Sequence, residues 1–89
     1  PLAQRLVVRY HISGLAKEEL RPYLKHRLEM AGTQMDLFEQ PALEALFQAT
    51  NGLPRKINLL AHLSLNVAAL QQAQAVSEEH VHTAVEETG

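Results

Sequence analysis

The residues best suited to chemistry in this chain are Arg55 and Lys56, set in the stretch Gly52-Leu53-Pro54-Arg55-Lys56-Ile57-Asn58. Gly accepts a left-handed backbone just past a helix end, and Pro is favoured in the first turn of the next helix. The spacing therefore predicts one helix ending near Asn51 and another beginning near Pro54. Arg55 and Lys56 then fall in a first turn where unpaired N–H groups and the helix dipole already make the field positive. Each cation there costs on the order of 0.3–1 kcal/mol, a penalty that an anion at the helix start removes. Two readings follow from the residues alone: a seat for a phosphate-like anion, or two solvated side chains directed away from the dipole.

No other constellation supplies enzyme chemistry. The phosphate-loop pattern G-x-x-x-x-G-K-[ST] is absent, and no Gly-Lys pair occurs. His80 and His82 stand two apart, so on a helix they face different directions and do not suit a shared metal ion. His26 and His62 each read as surface or half-buried residues. Glu18-Glu19 and Glu78-Glu79 occupy predicted first turns, where carboxylates complement the dipole. With no Cys there is neither a disulfide nor a thiolate metal site, which is compatible with a reducing cytoplasm.

The elements that must position Arg55 and Lys56 can be read from hydrophobic periodicity. Leu6-Val7-Val8-Arg9-Tyr10-His11-Ile12 alternates Leu6, Val8, Tyr10 and Ile12 against Val7, Arg9 and His11, which predicts a strand. A lone strand cannot satisfy its own backbone, so its partners are expected elsewhere in a longer protein or on another chain. Ser13-Gly14 breaks it and is a hinge candidate.

Residues 17–31 place Leu20, Tyr23, Leu24, Leu28 and Ala31 on one helical face, with Gly32 as the terminator. Ala16 is a poor N-cap and Pro22 lies past the first turn of a helix begun at Lys17, so a distorted start, or one nearer Leu20, is expected. Gln40-Pro41 reads as the next helix start, with Pro in the first position and Leu43, Leu46, Phe47 and Thr50 as its apolar stripe.

From Pro54 to about residue 72 the apolar residues Ile57, Leu59, Leu60, Leu63, Leu65, Val67, Ala68 and Leu70 surround most of the circumference. This predicts the central, most buried helix. Ser77 is the expected N-cap of the last helix, with Val76 and Val81 as a hydrophobic staple and Val81, Ala84 and Val85 facing inward. The fold class is all-α: a four-helix bundle preceded by one N-terminal β-strand.

Eighty-nine residues allow one small domain but not a complete nucleotide-hydrolysing one. The chain starts at Pro1 and runs at once into strand-like sequence, so a fragment of a longer protein is expected. No run approaches membrane-spanning length and no signal-peptide pattern is present. All eight Lys and Arg lie at or before Lys56 together with six of the ten acidic residues, whereas the remainder carries four Glu and no Lys or Arg. That asymmetry permits a polyanion on the first two thirds of the chain, yet falls far short of the footprint of a dedicated DNA-binding domain.

Gln4-Arg5, the strand, Gly14-Leu15, Glu19, Tyr23-Leu24, His26-Arg27-Leu28, Ala31-Gly32, Leu37-Phe38 and then Gly52-x-Pro54-Arg55-x-Ile57-Asn58 together resemble the end of an AAA+ ATPase. The chain is most similar to the branch that includes the general secretion pathway A ATPases and the ATPase subunits that help DDE transposases. The resemblance covers nearly the whole chain. Its specificity rests on Gly52 to Asn58 and on the Ala31-Gly32 and Leu37-Phe38 spacing.

The resemblance implies that residues 1–14 are the last strand of the ATPase core with a hinge, and residues 15–89 a helical lid over the nucleotide. Arg55 would be the sensor 2 residue reaching the β/γ-phosphates of ATP, with Gly52 and Pro54 shaping its approach. ATP and Mg2+ would be bound by the full-length protein and not by this chain alone. Arg5 lies in the region where such proteins carry the arginine finger, the alternative being a structural Arg at a strand start. The implied partners are the protein's own ATPase core, neighbouring subunits of a homo-oligomer, and either DNA with a transposase or a secretion component, in the cytoplasm.

Two other classes remain open. In a helix-turn-helix module the helix at Pro54 would read DNA through Arg55, Lys56 and Asn58, although its apolar circumference leaves little face for a groove. A lid could also touch DNA or phosphate through Lys17, Arg21, Lys25 and Lys56 without reading sequence. In a helical protein-interaction domain Arg55 and Lys56 are simply solvated. Retention on DNA that weakens with salt would favour the first, and nucleotide independence of the full-length protein the second.

Overall fold

Helix boundaries in this chain are set by how each end satisfies its backbone. The computed structural model describes residues 14–32 and 37–88. Arg5 and the strand expected over residues 6–12 lie outside them. Among the described residues the elements are a 3-10 turn, Lys17–Glu19, and four α-helices: α1 Leu20–Met30, α2 Gln40–Thr50, α3 Pro54–Leu70 and α4 Glu78–Thr88. The result is an all-α bundle. No helix among the described residues is long and apolar enough to cross a membrane.

The start of α1 is distorted, as the sequence predicts. Ala16 has no side-chain oxygen to offer, but the Glu19 carboxylate reaches back to accept the Ala16 N–H at 2.7 Å, which makes half a capping box. Because the α-helix proper begins at Leu20, Pro22 falls within its first turn, where the missing N–H has no intrahelical partner to lose. At the other end Gly32 takes φ +95° and donates to the Glu29 carbonyl at 3.0 Å. In α2 Pro41 occupies the second position and not the expected first, since Gln40 opens the helix.

The expectation that α3 is the most buried helix holds, but its apolar circumference is not covered on every side. Its buried face is Pro54, Ile57, Leu60, Ala61, Ser64, Val67 and Ala68, whereas Leu59 is 53% and Leu70 86% exposed. It is nonetheless the central helix, packing on both α2 and α4 and carrying more buried residues than any other described helix. An apolar circumference in the sequence does not say on which sides a neighbour will arrive. Ser64, fully buried within α3, donates to the Leu60 carbonyl at 2.7 Å, so its hydroxyl carries no unsatisfied cost.

The core runs through Leu20, Leu46, Ile57, Val76 and Val81, all under 2% exposed. Each such side chain contributes roughly 1.5–3 kcal/mol on burial, so these few residues outweigh the surface pairs in holding the bundle. The staple residues Val76 and Val81 are both in this cluster, as their positions around Ser77 predict. A feature with no counterpart in the sequence reading is a parallel bridge between Phe38 and Val76. The Val76 N–H donates to Leu37 at 2.7 Å and the Glu39 N–H to Val76 at 3.0 Å. This bridge ties the entry of α2 to the entry of α4, although 38 and 76 are far apart in the chain.

Candidate functional site: the start of α3

The turn between α2 and α3 is built almost entirely from backbone. Asn51 and Gly52 both take the left-handed region, at φ 53° and 78°. The Thr50 hydroxyl, fully buried, donates to the Leu46 carbonyl at 2.7 Å and accepts the Gly52 N–H at 3.2 Å. Leu53 then returns to extended backbone, and Pro54 enters α3 as its first residue, buried against the core.

Gly52 is needed here for two reasons. Its positive φ disfavours any residue with a Cβ, and a Cβ at this position would collide with the carbonyl oxygen of Leu15. Leu15 in turn donates its N–H to the Gly52 carbonyl at 2.7 Å. Gly14, with φ +80°, lies against the same carbonyl, 3.2 Å from where its own Cβ would stand. Two glycines thus meet back to back, and the segment entering the bundle is fastened to the turn that carries Arg55.

A side chain adds a second tie. The Tyr23 hydroxyl on α1 donates to Asn58 Oδ1 on α3 at 2.8 Å, one turn beyond Arg55, and the Arg27 guanidinium stands 5.9 Å from the Tyr23 ring centroid. Neither tie was legible in the sequence, because Leu15–Gly52 and Tyr23–Asn58 span more than thirty residues each and follow no local spacing rule.

Arg55 and Lys56 are the second and third residues of α3, both exposed, in a helix start that has no side-chain cap. Among the described residues neither makes a hydrogen bond or an ion pair. Gly52, Pro54, Arg55 and Lys56 are therefore brought into one turn. The remaining sequence candidates are dispersed. Lys17 pairs with Glu44 at 3.5 Å, and Arg21 donates to the Phe38 carbonyl at 3.3 Å and to Gln40 Oε1 at 3.1 Å, so both serve to join the α1 region to α2. Lys25 is exposed on α1.

The reading of α3 as a DNA-reading helix meets two obstacles in this arrangement. Asn58 Oδ1 is already taken by Tyr23, and the helix turns Leu59 and Leu70 outward in place of polar side chains.

His80 is a polar residue whose role the sequence reading missed. It is 6% exposed and stands three residues after Ser77, where its Nδ1 accepts the Ser77 N–H at 2.9 Å. That fixes the ring hydrogen on Nε2, which donates to Gln71 Oε1 at 3.0 Å. The imidazole does the work that Glu usually does in a capping box, and the three-residue spacing was the signal available. His82 turns outward toward Glu78, at 3.8 Å.

The chain is similar to the General secretion pathway protein A of Aeromonas hydrophila, 37% identical over 67 residues that make up 75% of this chain and 12% of that protein. The match therefore spans a small part of that relative's length. No family model matches the chain, and no solved structure matches it.

Proposed function

We propose that this chain is the C-terminal lid of an AAA+ ATPase of the general secretion pathway A kind, closing over ATP bound by a core that lies outside it. The observation that carries the reading is Arg55: exposed, without a partner among the described residues, and set at a helix start held from two sides by Leu15–Gly52 and Tyr23–Asn58. A guanidinium so placed supplies charge and directional N–H donors to phosphate oxygens, in a field that the helix start already makes positive. Similarity to a protein named for the general secretion pathway supports a place in secretion ahead of one in transposition.

In this reading Arg55 is the sensor 2 residue and meets the β/γ-phosphates of Mg2+-bound ATP, Lys56 adds a second cation, and Gly52 and Pro54 give the turn its shape. Loss of the γ-phosphate would release the start of α3. Since Gly52 is bonded to Leu15, that release would be felt directly at the Ser13-Gly14 hinge and would change the angle between lid and core. The partners are that core, neighbouring subunits of a homo-oligomer in the cytoplasm, and a component of the secretion machinery. Arg5 would act, as an arginine finger, on a neighbour's ATP.

The test is ATP turnover and ATP affinity of the full-length protein, wild type against Arg55→Ala, with a thermal melt of each. Turnover is expected to fall at least about tenfold, which is about 1.4 kcal/mol of transition-state stabilisation, with no loss of melting temperature. Unchanged turnover and affinity would reject the sensor role.

A further inference from the structure

Between α1 and α3 lies an open cavity of about 150 Å3, a volume close to that of cavities which hold a benzene-sized group. Its floor includes Leu24 and Phe38, each 4% exposed, and Ala61 at 5%. The polar residues that line it are Arg27, Asn58 and His62, and each is able to donate a hydrogen bond. Arg27 has only donors. Asn58 accepts the Tyr23 hydroxyl on Oδ1 and keeps its NH2 group as a donor. His62 Nε2 lies 3.4 Å from the Asn66 amide nitrogen. No carboxylate is among the described residues lining the cavity.

An apolar floor beneath a mouth of donors calls for an apolar group joined closely to an acceptor, best of all a carboxylate. In an extended peptide a carboxylate on the neighbouring residue points away from the side chain that enters the cavity, because successive side chains alternate. Only at the C-terminal residue do an apolar side chain and a carboxylate share one carbon. Met30, three residues after Arg27 on the same flank of α1 and 76% exposed, offers apolar surface for the residue before it.

We propose that this cavity captures the C-terminus of a partner polypeptide ending in Leu or Phe, with the side chain on Leu24, Phe38 and Ala61 and the terminal carboxylate on Arg27 and the Asn58 amide. The site lies one turn along α3 from Arg55 and shares with it the Tyr23–Asn58 tie.

The experiment is fluorescence anisotropy of the full-length protein with an N-terminally labelled Gly-Ser-Gly-Ser-Leu peptide in three forms: free acid, C-terminal amide, and free acid ending in Ser. The free acid ending in Leu is expected to bind, and either change to weaken it at least about tenfold, as expected for loss of a charge-assisted hydrogen bond or of a buried Leu side chain. Arg27→Gln is expected to weaken binding at least about fivefold. Ala61→Leu, which fills the floor, should abolish binding in a protein whose melt shows it folded. Equal binding of acid and amide, no binding of any form, or 4-methylpentanoate binding as tightly as the peptide would each overturn the proposal.

Discussion

The two ends of α3 solve the same backbone problem in opposite ways. At the C-terminal end the backbone closes back on the helix. Gln72 takes φ 57°, the Ala73 N–H returns to the Ala68 carbonyl at 2.9 Å and the Gln72 N–H to Ala69 at 3.0 Å, a complete Schellman closure. His80 then joins Gln71, just past α3, to Ser77 at the start of α4. At the N-terminal end the turn is held through Gly52, Leu15 and Thr50, but the helix start carries no side-chain cap and two cations that are unpaired among the described residues.

Rigidity and electrical completeness are thus separated. The C-terminal end contributes stability through satisfied polar groups. The N-terminal end is fixed in shape and incomplete in charge, and that combination is what an anion site requires, because the donors need no reordering when the anion arrives.

Substitutions at three positions would break or sharpen this contrast. The largest effect is expected for Gly52→Ala, which forces a strained φ and a collision with Leu15. The loss should exceed about 2 kcal/mol and lower the melting temperature by at least about 8 °C. A melt that stays put would mean that the close approach of Leu15 is not what holds the turn. Next is His80→Ala, expected to cost about 1–2 kcal/mol in urea unfolding, with His80→Glu recovering part of it by accepting the Ser77 N–H without reaching Gln71.

The smallest effect is expected for Arg55→Ala, for which the same unfolding measurement should show no loss and a gain of up to about 1 kcal/mol, since a cation leaves the positive end of a helix. If Arg55→Ala were as destabilising as His80→Ala, the two ends would not differ in kind.

Much of the bundle was legible because the signals are local. Gly32, Gly52-x-Pro54 and Ser77 mark helix ends through conformations and caps that depend on neighbours within a few residues, and Arg55 and Lys56 follow from them by counting. His80 was missed although its spacing from Ser77 is local, because the acceptor expected three residues past an N-cap is Glu or Gln. The outward turn of Leu59 and Leu70 was missed for a different reason. Apolarity records what a side chain can bury, while burial needs a partner, and α3 has partners on only part of its surface.

By itself the sequence determined where the helices start and stop and that two cations share a first turn, since these rest on backbone preferences of single residues and on helical periodicity. Only the tertiary structure decided that Gly14 and Leu15 press against Gly52, that Tyr23 holds Asn58, that Phe38 bridges to Val76, and that Lys17 and Arg21 are engaged within the bundle while Arg55 is not. Those contacts join residues far apart in the chain, and each exists only because core packing brings two elements to one place, which no local pattern encodes.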